Sequence, residues 1–404
     1  MKKPKVSVIM AAYNHEKYVG DAIESVIGQT YKNWEMLIID DCSTDRTREV
    51  IGGIVDARIS FCFHDKNEGP VKTFNELLAK AEGDYIAIIG SDDLWYKNKL
   101  EEQIRFMEKN QKYAVAFSYV DIMDENGQIY VSKDTCDVKM DFFNQKNRTN
   151  GEIFRVFFER GNYFCHPSSI IRKRVIREIG EFDYRFRQLH DYYYWIKILN
   201  KYPVYILPQK LIKYRRCSVD NRSVSAATYE NSVRLINESQ EITYEMIRDM
   251  SVSLFKEAFC DMIIRDIESE EELVCEKYFI LKKWQVWGNN NLYPAMRYLD
   301  EHINNEKIRK CLEEKFAYHW LDFYTDKAKV FNMYPLDFYE KYAELRQNYE
   351  TSQEIIQHKL EEQKLQQNEI YKLTNELEIM RNTVSWRITK PLRKMSQLRK
   401  KNEH

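Results

Sequence analysis

The stretch GDYIAIIGSDDLWYKNKL, residues 83 to 100, places a run of apolar residues directly before two adjacent carboxylates. Residues 85–89 are apolar throughout, which is typical of a strand that is buried on both faces. After a glycine and a serine, the chain continues with Asp92 and Asp93. Two like charges side by side raise each other's pKa, so this pair predicts a partner that offsets the repulsion.

Upstream of this stretch the sequence alternates between two periodicities. Three further strand-like runs, "KVSVIMAAY", "WEMLIIDD" and "RISFCFH", are each followed by a segment whose apolar residues recur at helical spacing. This alternation is typical of an α/β fold in which helices cover both faces of a parallel sheet. Ligands of such sheets bind beyond the carboxyl ends of the strands. We therefore expect Tyr13, Asp41, Asp92 and Asp93 to share one edge of the sheet.

The composition limits the classes of function. A chain of 404 residues suggests two or three compact units. With 62 Lys and Arg against 63 Asp and Glu, the net charge of -1 does not favour a nucleic-acid partner. The eight cysteines lack paired spacing, which favours free thiols in a reducing compartment. No stretch approaches the roughly 20 apolar residues of a membrane span, and we expect a cytoplasmic protein.

The later part of the chain changes character. Strands and helices mix until about residue 215, and a mostly helical region follows. From residue 342 a heptad frame with apolar ends and a polar centre predicts a weak coiled coil over residues 342–384. Its apolar positions are Tyr342, Leu345, Tyr349, Ile356, Ile370, Leu373, Leu377, Met380 and Val384. Residues 385–404 form a basic amphipathic tail that either suits an anionic membrane surface or is simply solvated.

Two polar motifs each allow a structural and a functional interpretation. In "LIIDDCSTDRT", Asp41 or Ser43 could cap the next helix, or Asp41 could accept the N–H of a uracil or thymine ring beside Tyr13. One of Asp92 and Asp93 could cap the helix that follows them. Adjacent carboxylates also suit a hard divalent cation that is shared with substrate phosphates.

Five motifs together resemble the inverting glycosyltransferases of family 2, which have the GT-A fold. They are "VSVIMAAYN", "IIDDCSTDRT", "NEG…N", "AEGDYIAIIGSDD" and "LHDYYYWIKI", and their order and spacing make the resemblance specific over residues ~5 to ~220. The resemblance implies a Rossmann-like mixed sheet flanked by helices, a nucleotide-sugar donor and a divalent metal, Mg or Mn. It also implies a single displacement in which a carboxylate deprotonates the acceptor hydroxyl.

The resemblance also implies roles for individual residues of the first four motifs. Ala11, Tyr13 and Asp41 would hold the nucleoside, with Asp41 on the edge of the base. The stretch "SDD" matches the DXD-type motif of the family, so Asp92 would lie near the ribose or phosphates and Asp93 would bind the metal.

The fifth motif contains the residue that the resemblance assigns as the base, Asp191. The other interpretation of Asp191 is a helix N-cap. Trp195 lies four residues later and shares its helix face. Many members have Glu where this chain has His190, which is a candidate acceptor contact or a solvated side chain. His166 either lines the sugar and acceptor region or is a satisfied buried histidine.

The end of the resembling region departs from the family pattern. Members often have a histidine where this chain has Cys217, so a metal ligand at that position is in question. The preceding Arg215 and Arg216 are candidates for phosphate contacts or are simply solvated. The sequence lacks QxxRW, which argues against a processive polysaccharide synthase.

These observations predict a domain order. Residues 1–220 form a GT-A catalytic domain, residues 221–341 a helical domain, residues 342–384 a coiled coil and residues 385–404 the basic tail. The end of the chain, "SWRITKPLR", resembles the ends of bacterial transferases that build cell-surface polysaccharides. We expect a homodimer formed through the coiled coil, with peripheral contact at the inner face of the membrane.

The predicted activity is that of a metal-dependent inverting glycosyltransferase of the hexosyl or rhamnosyl type. It would move one sugar from a UDP- or dTDP-sugar to a hydroxyl of a growing bacterial surface glycan or a lipid-linked acceptor. One alternative is a metal-dependent nucleotidyltransferase, but the sequence lacks a glycine-rich basic phosphate loop after the first strand. The other is a non-catalytic coiled-coil scaffold, which the set Asp41, Asp92, Asp93 and Asp191 argues against.

Overall fold

The computed structural model describes residues 4–130, 141–216, 228–285, 292–330, 336–382, 389 and 391–394. The chain divides into two compact units, Met1–Phe331 and Asn332–His404. Within the described residues of the first unit, eight strands form one sheet in the order β3-β2-β1-β4-β7-β6-β8-β5. The strands are β1 (Val6–Ala12), β2 (Trp34–Asp40), β3 (Ile59–Phe63), β4 (Tyr85–Ile88), β5 (Leu94–Trp95), β6 (Val115–Met123), β7 (Ile170–Arg172) and β8 (Val204–Arg215).

The sheet is mixed, as the family resemblance implies. β1 pairs in parallel with β2 and β4, and β2 pairs in parallel with β3, which confirms the predicted parallel half. β7 runs antiparallel to β4 and β6, and β5 runs antiparallel to β8. All four residues of β4 are buried, as expected for a strand covered on both faces.

Amphipathic helices cover the sheet. In the first of them, Val19, Ala22, Ile23 and Val26 are buried at helical spacing, so one face packs on the sheet. The helices of this part are α1 (Val19–Ile27), α2 (Thr47–Gly52), α3 (Pro70–Lys80), α4 (Lys99–Lys109), α5 (Asn150–Arg160), α6 (Lys173–Ile179) and α7 (His190–Leu199). A short 3₁₀ helix spans His166–Ser168.

A helical region follows β8 and packs on the same core. It consists of α8 (Tyr229–Asp249), α9 (Val252–Phe259), α10 (Glu270–Lys282), α11 (Tyr293–His302), α12 (Glu306–Phe316) and α13 (Trp320–Lys327). One continuous apolar cluster contains Phe117 and Trp195 from the α/β part together with Tyr244, Phe255 and Tyr278 from these helices. The predicted domain boundary at residue 220 lies outside the described residues, and the division into two domains stays a prediction.

The second unit contains one long helix, α14 (Leu336–Asn382), of 47 residues. At 1.5 Å per residue it is about 70 Å long. Several apolar residues of the predicted heptad seam are exposed on it, among them Ile356, Ile370 and Leu377. Pairing through this seam stays a prediction. Of the predicted basic tail, only 389 and 391–394 lie within the described residues. Across the described parts of the chain, no helix is long and apolar enough to cross a bilayer.

A lysine is buried at the first position of α4. Lys99 is fully buried, donates to Gln103 Oε1 at 2.7 Å and lies 4.1 Å from the centroid of the Trp95 ring. Burial lowers the pKa of Lys99 to about 7. The pKa of an unfolded lysine is about 10.4. Below about pH 7 the lysine is charged in both states, so its burial lowers the free energy of unfolding by the full amount. This loss of stability decreases as the pH rises from about 7 to about 10.4.

We predict that Lys99→Met stabilises the protein in a pH-dependent way. The variant removes the buried charge, so its free energy of unfolding should exceed that of the wild type by roughly 1–3 kcal/mol near pH 7. The gain should shrink as the pH rises from about 7 and should vanish only above about 10.4, where the lysine of the unfolded wild type also becomes neutral. Urea unfolding across this range measures the difference, and a gain that does not change with pH would contradict the buried charge.

Candidate functional site

A cavity of about 490 Å³ lies at the carboxyl ends of β1, β2 and β4. This is the edge of the sheet where the sequence predicts a ligand site. Five of the predicted site residues line it, namely Ala11, Tyr13, Asp41, Asp92 and His190. The other five are described but are not among the residues that line it, namely Asp93, Asp191, Trp195, Arg215 and Arg216.

Asp41 presents a carboxylate that is already partly satisfied. Its Oδ1 accepts from the backbone N–H of Glu68 at 2.8 Å and faces His64 Nδ1 at 2.9 Å, and its Oδ2 accepts from the N–H of Gly69 at 2.8 Å. An ionised carboxylate has about four acceptor positions. One position on Oδ2 is therefore left, among these described contacts, for an N–H group in the cavity.

The preceding residue, Asp40, organises the turn that presents Asp41. Asp40 is fully buried and accepts from Ser43 N at 2.9 Å and from Arg48 Nε at 2.8 Å. Cys42 has a φ of 65°, a left-handed conformation that L-residues adopt at a cost. α2 begins at Thr47 without a side-chain cap, so the alternative that Asp41 or Ser43 caps this helix is wrong.

The loop after β1 is tied to the same turn. Asn14 has a φ of 54°, its N–H donates to Ser43 Oγ at 2.8 Å, and its Oδ1 accepts from Thr44 N at 2.8 Å. Tyr13, directly before it, is 38% exposed and lines the cavity. Hydrogen bonds from backbone N–H groups to side chains thus join the two loops, and Tyr13 and Asp41 line the same cavity.

The carboxylate pair after β4 is divided between the cavity and the interior. Asp92 is partly exposed and lines the cavity, whereas Asp93 is 2% exposed. Asp93 Oδ1 accepts from the backbone N–H of Arg215 at 2.8 Å. A Cβ on Gly90 would lie 2.5 Å from Asp93 Oδ2, so the glycine makes room for this carboxylate. α4 begins at Lys99 with its N-cap at Asn98, so neither aspartate caps it.

The interior position leaves Asp93 without full compensation. Burial, followed by the charge of Asp92, raises the pKa of Asp93 well above its ordinary value. The described residues place no group of three His, Cys, Asp or Glu side chains where they could hold a metal by themselves. Two adjacent carboxylates can serve a hard cation when a bound substrate supplies further oxygen ligands.

Asp191 lies in the first turn of α7, one residue after the helix begins. The N-cap is Leu189, so the alternative that Asp191 is the N-cap is wrong. Its Oδ1 accepts from Tyr192 N at 2.7 Å and its Oδ2 from Asn162 Nδ2 at 3.2 Å. Burial raises the pKa of Asp191, and the neighbouring His190 opposes the rise. A carboxylate with a raised pKa is a better proton acceptor than an exposed one.

Two histidines on the lining have buried ring nitrogens without a partner. His190 faces the Arg187 carbonyl at 3.0 Å through Nδ1, which must therefore be the protonated nitrogen. Nε2 of His190 and Nε2 of His166 are buried and have no hydrogen-bond partner among the described residues. The interpretation of His166 as a satisfied buried histidine is therefore wrong. Burial lowers the pKa of His166 well below its ordinary value, so its ring is neutral.

The other three predicted contacts, Trp195, Arg215 and Arg216, each contact other parts of the protein. Trp195 is fully buried and packs edge-on against Phe117, with ring centroids 4.9 Å apart. The Arg215 guanidinium is 4.3 Å from the centroid of the Tyr18 ring and donates to the carbonyls of Asp92, Asp124 and Glu125. The backbone N–H of Arg216 donates to the Met123 carbonyl. Cys217 lies outside the described residues.

Several lining residues were not singled out from the sequence. His15 contacts Ser91 Oγ through Nδ1 at 2.8 Å. Like Tyr13 it follows the first strand, so its position in the sequence could have indicated a site residue. Arg187 precedes the "HD" of the fifth motif. Thr228 and Asn231 come from the start of α8, and no motif in the sequence marks them.

His64 faces two carboxylates, one through each ring nitrogen. Nδ1 lies 2.9 Å from Asp41 Oδ1 and Nε2 lies 3.2 Å from Glu76 Oε2, while Arg48 donates to the His64 backbone carbonyl. Two carboxylate acceptors require two N–H donors, so the geometry favours the imidazolium. Burial lowers the pKa of His64, but the hydrogen bonds to Asp41 and Glu76 outweigh it and the pKa is raised.

The chain is similar in sequence to known glycosyltransferases. The family model described as Glycosyl transferase family 2 matches residues 7–180. An uncharacterized glycosyltransferase of Methanocaldococcus jannaschii is 33% identical over 226 residues, which are 55% of this chain and 74% of that protein. The Escherichia coli UDP-Glc:alpha-D-GlcNAc-diphosphoundecaprenol beta-1,3-glucosyltransferase WfgD is 32% identical over 194 residues, which are 48% of this chain and 69% of WfgD.

The fold is similar to that of a solved structure. Residues 1–349 of S. aureus TarS, crystallised with UDP-GlcNAc, superpose with a TM-score of 0.52 at 16% sequence identity. The superposition covers 80% of this chain and 89% of that one. At this identity the likeness shows a shared fold.

We predict that His64→Gln destabilises the protein more at low pH than at high pH. Because the folded-state pKa is raised, the stabilisation is fully present below the unfolded pKa and is lost as the pH rises through the folded value. We expect a loss of about 1–2 kcal/mol near pH 6 that declines toward pH 9. Urea unfolding measures it, with His358→Gln, an exposed histidine, as the control. Equal losses at both pH values would show that the ring is not charged.

Proposed function

The chain belongs to glycosyltransferase family 2, and we propose that it is an inverting enzyme which transfers one sugar from a nucleoside-diphosphate donor to a hydroxyl group. The observation that carries this proposal is the cavity at the carboxyl edge of the sheet. It combines the partly satisfied Asp41, the exposed ring of Tyr13 and the carboxylate of Asp92. These groups suit a base, its ribose and a diphosphate in that order along one ligand.

The donor carries uracil or thymine. The remaining acceptor position of Asp41 Oδ2 suits the imino N–H of either base, which adenine lacks. Tyr13 offers a ring face for stacking, and the small side chain of Ala11 leaves room beside it. The name of the relative WfgD includes a UDP-sugar donor, which supports a uridine nucleotide here. The transferred sugar is of the hexosyl or rhamnosyl type.

Asp92 and Asp93 would hold a divalent cation, Mg²⁺ or Mn²⁺, together with the donor diphosphate. When bound, the cation would offset the repulsion between the two carboxylates and the charge of the departing diphosphate. The buried Asp93, whose pKa is raised by burial and by Asp92, supports this assignment. The turn from Gly90 to Asp93 is held to β8 by the Arg215 N–H, so the pair is positioned before the donor arrives.

Asp191 is the general base of this proposal. The acceptor hydroxyl oxygen attacks the anomeric carbon from the face opposite the diphosphate, and Asp191 takes the hydroxyl proton. The new glycosidic C–O bond forms as the C–O bond to the diphosphate breaks, with its electron pair leaving on the diphosphate, so the configuration inverts. Asn162 and the Tyr192 N–H hold the carboxylate oxygens, and His190, next in the chain, contributes to the cavity wall where an acceptor would lie.

The acceptor is a growing bacterial surface glycan or a lipid-linked sugar. The name of WfgD includes a diphosphoundecaprenol acceptor, which supports a lipid-linked one. A cytoplasmic enzyme at the inner face of the membrane would meet such an acceptor. Pairing of two chains through residues 342–384 would place two basic tails side by side for this contact.

We predict that Asp191→Asn lowers the rate of transfer to a small residual value and leaves donor binding intact. The amide keeps the shape of the side chain but cannot accept the acceptor proton, so kcat should fall at least ~10²-fold. Product formation from UDP-sugars and calorimetric titration of UDP measure the two effects. Glu159→Gln, an exposed carboxylate on α5, is the control. If Asp191→Asn retains more than about a tenth of the activity, another residue takes the proton.

We predict that nucleotide binding depends on a divalent cation and on Asp93. Removing the cation with EDTA should weaken UDP binding at least about tenfold, because the carboxylates and the diphosphate then repel one another. Asp93→Asn should weaken binding in the presence of Mg²⁺ while the melting temperature without ligand stays the same or rises slightly, since a buried charge is removed. Equal UDP affinity with and without EDTA would show that nucleotide binding does not depend on a divalent cation.

A further inference from the structure

A carboxylate from α8 binds the backbone directly in front of α7. Glu238 is 6% exposed. Its Oε1 accepts from the N–H of Arg187 at 2.9 Å, and its Oε2 accepts from the N–H of Gln188 at 2.9 Å and of Leu189 at 2.8 Å. Three consecutive backbone N–H groups therefore converge on one side chain. Hydrogen bonds to an ionised carboxylate are about twice as strong as neutral ones.

The same helix binds the other side of this segment. Glu245 accepts from the hydroxyl of Tyr193 and from the guanidinium of Arg185, with Arg185 Nη2 at 3.2 Å from Glu245 Oε2. Arg185 also pairs with Asp183 at 2.7 Å. The segment from Arg185 to Tyr193, which contains His190 and Asp191, is thus held at both ends by α8.

The face of α8 that makes these contacts continues to the cavity. Asn231, Glu238 and Glu245 are spaced seven residues apart, so they lie on one side of the helix. Asn231 lines the cavity together with Arg187 and His190. One helix face therefore runs from the cavity wall to the backbone that precedes the proposed base. α8 lies wholly beyond residues 7–180, the part of the chain that matches the family model.

We propose that Glu238 is a positioning residue for the transfer reaction, which sets the place where α7 begins and thereby the direction of Asp191. The proposal rests on the proposed role of Asp191 as the base. The backbone of Arg187, Gln188 and Leu189 determines the start of α7, and Asp191 follows two residues after Leu189. A shift of this backbone would move the base relative to the acceptor hydroxyl, and a misplacement of about 1 Å can cost ~10²-fold in rate.

The substitution that tests this is Glu238→Gln. Glutamine has the same shape, but its amide has one acceptor oxygen and one NH₂ group, which would face a backbone N–H donor. At least one of the three hydrogen bonds is lost, and the loop must shift to relieve the contact between two donors. Packing of the α8 side chain in the core is retained.

The chain contains a matched control, Glu276 on α10. Glu276 is fully buried and accepts from Ile264 N at 2.9 Å and from Arg265 N at 2.8 Å. It therefore binds a loop backbone as Glu238 does, and none of these three residues lines the cavity. Glu276→Gln makes the same chemical change at a place that does not contact the α7 segment.

The experiment measures kcat, donor KM, UDP binding and Tm for the full-length chain and both variants. We expect Tm to fall by a similar amount in both. In Glu238→Gln, kcat should fall at least about tenfold while donor KM and UDP affinity stay within about twofold. Glu276→Gln should keep kcat within about twofold. A fall in kcat that is equal in both variants, or absent in both, would overturn the positioning role.

A double variant links the effect to the base. If Glu238 acts through Asp191, adding Glu238→Gln to Asp191→Asn should cause no further loss of activity, whereas a further tenfold loss would show that Glu238 acts elsewhere. If Asp191→Asn alone stays active, the base assignment fails. If Glu238→Gln is unfolded at the assay temperature, Glu238→Asp takes its place, and a kcat equal to that of the wild type would overturn the proposal.

Discussion

The parallel pairing of β1 with β2 on one side and β4 on the other is the constraint on which the rest of the structure depends. Its register sets Ala12 opposite Asp40 and Ile9 opposite Ile88, so three strands end at one edge. Hydrogen-bonded strands lie about 4.8 Å apart, which brings the loops after them within reach of one ligand. The cavity therefore follows from backbone hydrogen bonding in a sheet whose core strands are buried.

The carboxylates at this edge are compensated in two different ways. Asp41 receives two backbone N–H groups and faces His64, so its charge is stabilised by the protein itself. Asp93 is buried beside Asp92 and receives one N–H, so burial raises its pKa well above the ordinary value. At one end of the site, the hydrogen bonds to Asp41 suit a neutral nucleobase. At the other end, the charges of Asp92 and Asp93 are not offset by the protein, which suits a cation bound together with a diphosphate.

The helices after β8 are part of the site as well as of the core. They share one apolar cluster with the sheet, and α8 supplies Asn231 to the cavity wall and Glu238 to the segment before α7. Because α8 lines the cavity and also binds the backbone in front of α7, it holds the start of α7 at a constant position relative to the cavity. The helical region thus contributes to the geometry of the reaction proposed for this enzyme.

The sequence by itself determined the class of fold and the edge of the sheet at which the site lies, because the alternation of periods two and 3.6 is local and strand ends carry the polar residues. It also placed Asp41 and Asp92 on that edge.

The tertiary structure alone decided that Asp93 is interior, that Trp195 is core and that Arg215 binds carbonyls, since burial depends on residues distant in the chain. Glu238, Thr228 and Asn231 had no local signal, because their roles arise from contacts across some 50 residues or from the place of α8 beside the cavity. Helix periodicity predicts which side of a helix is apolar. Which residues that side contacts is decided only when the whole chain packs.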